Sequence, residues 1–151
     1  MRIEVDDLTR PAVLALLQEH LDDMHSLSPR ESVHALDVEK LRDSSITFWT
    51  AWEGDMLLGC GALKTLDDRH GEIKSMRTPA AARGRGAGRA LLQHILAEAT
   101  SRGYTRLSLE TGSLPAFEPA HRLYESAGFT RSGPFGEYRA DRHSVFMTLE
   151  L

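Results

Sequence analysis

The sequence has one cysteine and no long apolar run. The single thiol, Cys60, cannot close an intramolecular disulfide, and its apolar setting in LLGCGAL predicts a buried structural thiol rather than a reactive one. No stretch approaches the roughly 18 apolar residues of a membrane-spanning helix, and the opening MRIEVDDLTR is not an apolar signal segment. We therefore expect a cytoplasmic protein that does not act on a membrane.

Positive charge and metal-binding patterns are also scarce. Lys and Arg number 18 against 22 Asp and Glu, for a formal net charge of −4, whereas a general nucleic-acid binder carries a basic excess. The seven histidines show no metal-ligand spacing: His20 and His25 are five residues apart, and no HExxH pattern occurs. These shortages predict a protein that binds neither nucleic acid nor a metal ion.

The residues that are present fit one mixed α/β domain. With 151 residues, 41% of them hydrophobic, the chain suits a single domain, residues 1–151, around one core. Composition and apolar spacing predict strands at 2–5, 45–53, 56–66, 72–78, 106–111, 129–133 and 143–151, and helices at 9–24, 33–43, 90–103 and 119–128. An antiparallel meander followed by a β-α-β crossover predicts a mixed central sheet of about seven strands flanked by about four helices.

The stretch RGRGAGR, residues 83–89, separates a predicted strand from a leucine-rich predicted helix, and we call it the glycine–arginine loop. Backbone N–H groups at a helix start lack intrahelical partners, glycine lets a ligand approach, and arginine adds charge. The loop is a candidate site for an anion, foremost a diphosphate; the alternative is a glycine-rich surface turn with solvated arginines. It is not a Walker loop, because no Gly-Lys-Ser/Thr follows, and Arg89 stands where the dinucleotide fingerprint requires its third glycine.

Two motifs and one strand, in order along the chain, resemble a known family. Residues 83–88 fit Q/R-x-x-G-x-G/A, and AHRLYESAGF, residues 120–129, fits A-x-x-L-Y-x-x-x-G-F. The segment EIKSMRTP before the glycine–arginine loop resembles the strand that holds a pantetheine arm. The sequence is thus similar over nearly its whole length to the GCN5-related N-acetyltransferases, the GNAT family. The resemblance implies transfer of an acetyl group from acetyl-CoA to a primary amine, by direct attack in a ternary complex.

The resemblance also implies residues that bind the donor. The strand residues Met76, Arg77 and Thr78 would hold the pantetheine arm and the thioester carbonyl, although ordinary sheet pairing explains them as well. Tyr124 matches the tyrosine proposed to protonate the departing thiolate, and its alternative role is packing between helix and sheet. The diphosphate would lie on the glycine–arginine loop, which comprises Arg83, Gly84, Arg85, Gly86, Ala87, Gly88 and Arg89.

Two carboxylates are candidates for the general base that deprotonates the amine. Glu72 is the first candidate, since in a regular strand it shares one face with Lys74 and Met76; the alternative is a surface Glu72–Lys74 pair. Glu110, which ends the neighbouring parallel strand, is the second. If the two strands diverge there, both carboxylates border one cleft.

The acceptor pocket is expected in the segments 24–34 and 135–143, where the family places it. Phe135 and Tyr138 would shape that pocket, and Lys74 would orient an acidic group of the substrate. The chain departs from the family pattern at Phe117, where many members have an asparagine whose hydrogen bond to the donor is then lost.

A small-molecule amine is the expected acceptor, and a peptide or protein amine is the alternative. Two rival classes stay open at this point: a module that binds acetyl-CoA without turnover, and a nucleotide- or RNA-binding protein that uses the glycine–arginine loop. The acidic balance disfavours the latter. Dimers are common in the family, and the final strands are the expected contact.

Overall fold

A mixed sheet organises the fold. Within residues 1–33 and 37–151, which the computed structural model describes, seven strands form one sheet in the spatial order β1-β2-β3-β4-β5-β7-β6. The strands are β1 (Arg2–Val5), β2 (Ile46–Glu53), β3 (Met56–Thr65), β4 (His70–Arg77), β5 (Arg106–Gly112), β6 (Thr130–Ser132) and β7 (Ser144–Glu150). The helices are α1 (Pro11–Leu27), α2 (Val38–Leu41), α3 (Ala87–Ser101) and α4 (Glu118–Ser126). Among the described strands, β4 and β5 alone pair in parallel, so the predicted mixed α/β architecture is confirmed.

The first helix packs its apolar stripe on one face of the sheet. Val13, Leu16 and Leu17 recur at helical spacing and are buried against Phe48 and Trp52 of β2. The helix begins at Pro11, whose missing N–H is not needed at the first helical position. The helix predicted from residue 9 thus begins two residues later, with Arg10 as its N-cap, and the Thr9 hydroxyl donates to Asp7 at 2.6 Å.

The opposite face of the sheet carries α3. Leu91, Leu92 and Ile95 are each at most 1% exposed, as the leucine-rich pattern predicts. Gly61 of β3 makes this contact close: a Cβ there would lie 3.1 Å from Ile95 Cδ1. Glycine in this strand therefore permits a close helix–sheet approach.

Beyond their first four paired residues, β4 and β5 part. Their parallel pairing runs from His70 with Arg106 to Ile73 with Leu109, although β4 continues to Arg77 and β5 to Gly112. A bulge accompanies this change, since β4 has an extra residue opposite β3 and Ser75 takes a positive φ of 55°. The two strands thus open a cleft at their carboxyl ends.

The bulge overturns one prediction about β4. Glu72 and Lys74 share a face, but Met76 lies on the other one, because the extra residue reverses the alternation. The Met76 side chain packs into the core beneath α3, where its sulfur lies beside Gly61.

Other predicted boundaries shift by small amounts. Of the predicted helix 33–43, the structure has α2 at Val38–Leu41, where Asp37 caps the helix; residues 34–36 lie outside the described part of the chain. Cys60 is fully buried, as predicted, and Trp49 and Trp52 are core residues that are at most 5% exposed. In the described residues, no helix has the length and apolarity that a membrane span requires.

Candidate active site

The cleft between the parting strands is a cavity of about 550 Å³. Its walls come from α1, the carboxyl halves of β4 and β5, the start of α3, and α4. Both carboxylates predicted from the sequence, Glu72 and Glu110, border it, as does Tyr124. The expected divergence of β4 and β5 therefore brings all three candidate catalytic side chains to one cavity.

The glycine–arginine loop opens α3 beside this cavity. Gly84 and Gly86 have φ values of 81° and 80°, and Gly86 is the N-cap. No described heavy atom lies within 4 Å of a Cβ built at either position, so the backbone conformation, rather than lack of space, requires glycine. The first helical hydrogen bond runs from Ala90 N–H to the Gly86 carbonyl. The N–H groups of residues 87–89 therefore precede the helical hydrogen bonds and suit an anion.

The arginines of this loop differ in position. Arg83 and the backbone at Gly88 border the cavity. Arg85 lies 3.7 Å from Glu53 on the exposed surface, and Arg89 is exposed away from the cavity wall. Arg83 is therefore better placed than the other two to add charge beside a bound anion.

Glu72, Lys74 and Tyr138 form a buried hydrogen-bonded cluster. Tyr138 Oη donates to Glu72 Oε2 at 2.5 Å, and Lys74 Nζ lies 3.1 Å from the same oxygen and 3.0 Å from Tyr138 Oη. The Glu72 and Lys74 side chains are 4% and 8% exposed, so the surface-pair alternative is wrong although the pair exists. Burial and the adjacent Glu72 charge raise the pKa of Tyr138, which keeps its phenol protonated.

Glu110 belongs to the carboxyl half of β5 and lies at the cavity with a perturbed carboxyl group. Burial raises its pKa from an ordinary 4.5 to about 7, against the opposing effects of a hydrogen bond from Ser144 Oγ at 2.7 Å and the Lys74 charge. A carboxyl with a pKa near neutrality can both lose and accept a proton at physiological pH. Both carboxylates therefore stay candidates for the general base, and the raised pKa favours Glu110.

The family model described as the Acetyltransferase (GNAT) family matches residues 13–129. The chain belongs to the GNAT family. It is 60% identical over its full length to the whole of an uncharacterized N-acetyltransferase, YsnE, of Bacillus subtilis (strain 168). It is 39% identical to the IAA acetyltransferase of Azospirillum brasilense, with 93% of this chain and 91% of that protein covered. The GNAT resemblance and the acetyltransferase activity that it implies are thus confirmed.

The fold of this GNAT acetyltransferase also matches solved structures. A GNAT family acetyltransferase from Elizabethkingia anophelis, crystallised with acetyl-CoA bound, superposes with a TM-score of 0.69. The match covers 99% of this chain and 97% of that chain at 18% identity, so it establishes the fold.

Tyr124 of this GNAT protein is both a packing residue and part of the cavity wall. It is 7% exposed, and its ring meets Phe129 edge-on with 5.8 Å between centroids. Burial raises the pKa of its phenol above the ordinary value of 10. A higher pKa makes the phenol a weaker acid, which favours a hydrogen-bond donor over a full proton donor.

Phe117 occupies the position where many GNAT proteins have asparagine. Its buried ring lies over the backbone of Gly112, at the end of β5, so closely that a Cβ at Gly112 would lie 2.1 Å from the ring. His121 Nε2 donates to the Gly112 carbonyl at 2.8 Å. Together these residues tie the start of α4 to the end of the strand that carries Glu110. Sequence reasoning missed His121, because a single histidine on a short helix has no distinctive pattern.

At the end of the cleft where the acceptor is expected from the sequence, two loops meet. Ser32, after α1, donates to Asp141 Oδ2 at 2.5 Å, and Asp141 also accepts from the His143 N–H at 2.8 Å. We call the Ser32–Asp141 contact the acceptor bridge. Tyr138 borders the cavity as predicted. Phe135 does not belong to the cavity wall in the described structure, since its ring packs against Tyr138 and Phe146 at centroid distances of 4.9 and 6.0 Å.

Within residues 1–33 and 37–151, no group of three or more His, Cys, Asp or Glu side chains is arranged to hold a metal ion. The metal-free, cytoplasmic, homodimeric and nucleic-acid-independent character expected from the sequence stays a prediction.

Proposed function

We propose that this protein transfers an acetyl group from acetyl-CoA to the primary amine of a small molecule, by direct attack in a ternary complex. The observation that carries the proposal is the single cavity where the parted strands, the start of α3 and a near-neutral carboxyl meet. Binding sites of this kind place a donor and an acceptor in contact without a covalent enzyme intermediate.

The residues present fit acetyl-CoA. In the described chain, β4 makes no ladder pairs with β5 beyond Ile73. The backbone N–H and C=O groups of residues 76–78 on that side are therefore available to the pantetheine amides. The glycine–arginine loop offers N–H groups and Arg83 to the diphosphate. When bound, acetyl-CoA supplies an acetyl group on a thioester carbon.

Glu110 is the general base in this proposal. An amine acceptor arrives as an ammonium ion, and its nitrogen needs a free lone pair before it can form the new C–N bond. The ionised Glu110 carboxylate attracts the ammonium and takes its proton. The Glu72–Lys74–Tyr138 cluster then has a positioning role, because Glu72 already accepts from both partners and Lys74 is held by them.

Tyr124 donates a hydrogen bond to the sulfur as negative charge develops there. Its raised pKa suits this role, since the phenol stays protonated while it stabilises the thiolate. A non-catalytic module would not need a buried carboxyl with a pKa near 7 on the wall of the donor cleft.

The acceptor bridge favours a small acceptor over a protein one. Ser32 and Asp141 join the two loops across the acceptor end of the cavity, where a polypeptide acceptor needs an open groove. The 39% identical relative bears the name of an acetyltransferase for IAA, a small molecule, which agrees with this choice.

Initial-rate kinetics test the proposed function. With acetyl-CoA and a panel of small primary amines, double-reciprocal lines should intersect, as a ternary complex requires, and small amines should outperform unstructured peptides with free amines. Ser32→Ala should reduce the preference for small amines over peptides, because it opens the bridge. Ser126→Ala is the control, because it removes a hydroxyl that donates to the Leu123 carbonyl within α4. Parallel lines, or peptides as the better acceptors, would contradict the proposal.

A further inference from the structure

Three side chains on one wall of the cavity carry buried polar atoms without a hydrogen-bond partner among the described residues. The atoms are His20 Nδ1, Ser75 Oγ and Arg77 Nε, and all three residues border the cavity. Buried polar atoms are hydrogen-bonded in the large majority of cases, because an unmade bond costs free energy. Three such atoms on one wall therefore indicate a place where a ligand supplies the partner.

His20 belongs to α1, and Ser75 and Arg77 belong to the bulged end of β4, which α1 contacts through Arg77. Arg77 pairs in register with Cys60, whose side chain lies in the core beneath α1. The Arg77 guanidinium is fixed there by Nη2, which donates to Glu19 at 2.8 Å and to Asp23. Its Nε–H remains for another acceptor. The Arg77 charge also acts on the ring of His20, one residue along α1 from Glu19.

The chemistry of these atoms selects an oxygen that accepts hydrogen bonds. Arg77 Nε–H can only donate, and the Ser75 hydroxyl can donate as well. Burial, reinforced by the Arg77 charge, lowers the pKa of His20 to about 4, so its ring is neutral at physiological pH and Nδ1 donates in one tautomer. The three residues therefore offer up to three donors at the cavity wall.

The surrounding charge selects an uncharged oxygen over a carboxylate. Two carboxylates, Glu19 and Asp23, face the single guanidinium of Arg77, and the His20 ring adds no positive charge. An anionic group placed beside this set meets net negative charge at close range, whereas an amide carbonyl avoids that repulsion.

We propose that His20, Ser75 and Arg77 form an acceptor subsite for an uncharged carbonyl oxygen, so that the acceptor is a primary amine that carries an amide. The inference rests on the proposed function, because it names the second group of the same acceptor. The pantetheine arm of the donor also contains amide carbonyls, and the experiment separates these two sources.

The test compares three acceptor series of matched length: ω-amino amides, plain n-alkylamines and ω-amino acids. At the best chain length, the amide should exceed the alkylamine in kcat/KM by about tenfold, the effect of one or two well-placed hydrogen bonds. The amino acid should be the poorest of the three. Ser75→Ala should reduce the amide-to-alkylamine ratio to about threefold or less, and Ser75→Gly, which also suits the positive φ, should do the same. Ser101→Ala, at the exposed end of α3, is the control.

Two readouts keep the outcomes distinct. Because it removes an unpartnered hydroxyl, Ser75→Ala should leave the thermal midpoint unchanged or raise it, so a lost preference is not a folding defect. Equal rates for amides and alkylamines at every length would overturn the subsite, as would a Ser75→Ala effect confined to the KM of acetyl-CoA. If no amine is acetylated but amides still raise the midpoint in the presence of CoA, and less so in Ser75→Ala, the subsite stands and the proposed reaction fails.

Discussion

Glu110→Gln should lower kcat by about 100-fold or more near neutral pH, because general-base catalysis contributes roughly 10²- to 10⁴-fold. In the wild-type protein, kcat should rise with pH through about 7, where the Glu110 carboxyl ionises, and then level off. In the variant, that limb should disappear, and the rate should keep rising toward the acceptor's own pKa of about 10. The measurement is a pH–rate profile at saturating acetyl-CoA and amine.

Stability should move in the opposite direction to activity. The folded-state pKa of Glu110 lies above its ordinary value of 4.5, so its favourable contribution to stability is complete below about pH 4.5 and is lost as the pH rises through about 7. Glu110→Gln should therefore have a higher thermal midpoint than wild type at about pH 8. If Glu110→Gln has a lower kcat and also a higher thermal midpoint than the wild-type protein, a folding defect does not explain the lower kcat.

Glu72→Gln provides the matched comparison. It removes the carboxylate that holds Tyr138 and Lys74, so we expect a higher KM for the acceptor while the pH limb near 7 is kept. If Glu72→Gln abolished that limb and Glu110→Gln retained it, the roles assigned to the two carboxylates would be reversed.

Gly112→Ala should destabilise the fold by about 1–3 kcal/mol, the usual effect of an extra methyl group in a filled space. A Cβ at Gly112 would lie 2.1 Å from Phe117 Cε2 and 2.4 Å from its Cδ2, so the ring must move. For a domain of this size, each kcal/mol lowers the thermal midpoint by about 2–4 °C. Chemical denaturation together with a thermal scan measures both quantities.

Two further variants identify Phe117 as the cause. Gly133→Ala introduces the same methyl group where no described heavy atom lies within 4 Å, and its effect should stay within about 0.5 kcal/mol. The double variant Gly112→Ala/Phe117→Leu should be more stable than the sum of the single effects predicts, since the smaller side chain leaves room for the methyl group. A stable Gly112→Ala protein would show that the ring does not lie over Gly112.

Local patterns were sufficient to predict most of the fold. The spacing of Leu91, Leu92 and Ile95 fixes the buried face of α3, and glycines at 84 and 86 mark the loop before it, because few other residues adopt their positive φ. The side of Met76 was mispredicted, since the bulge depends on a positive φ at Ser75, a residue that rarely signals one.

The chemistry of the site was less accessible from sequence. The alternation of side chains made Glu72 the first candidate base. Whether a carboxylate can act as a base depends on its burial and on its hydrogen-bond partners. For Glu72 these depend on the 133–143 loop, because this loop brings the Tyr138 hydroxyl to the Glu72 carboxylate. The ring of Phe135, in the same loop, packs against Tyr138 and Phe146 instead of lining the cavity. His20 lies far from Ser75 and Arg77 in the sequence, so all three border one cavity only because α1 packs against β4.

The most direct test of the account is the thermal midpoint of the protein with acetyl-CoA, CoA and ATP at matched concentration. At about 100 times its dissociation constant, a ligand specific for the folded state adds roughly 2.7 kcal/mol of stability. The account predicts that acetyl-CoA and CoA raise the midpoint and that ATP does not. If all three left the midpoint unchanged, or if ATP raised it as much as acetyl-CoA, the assignment of the cleft to the acetyl donor would be contradicted.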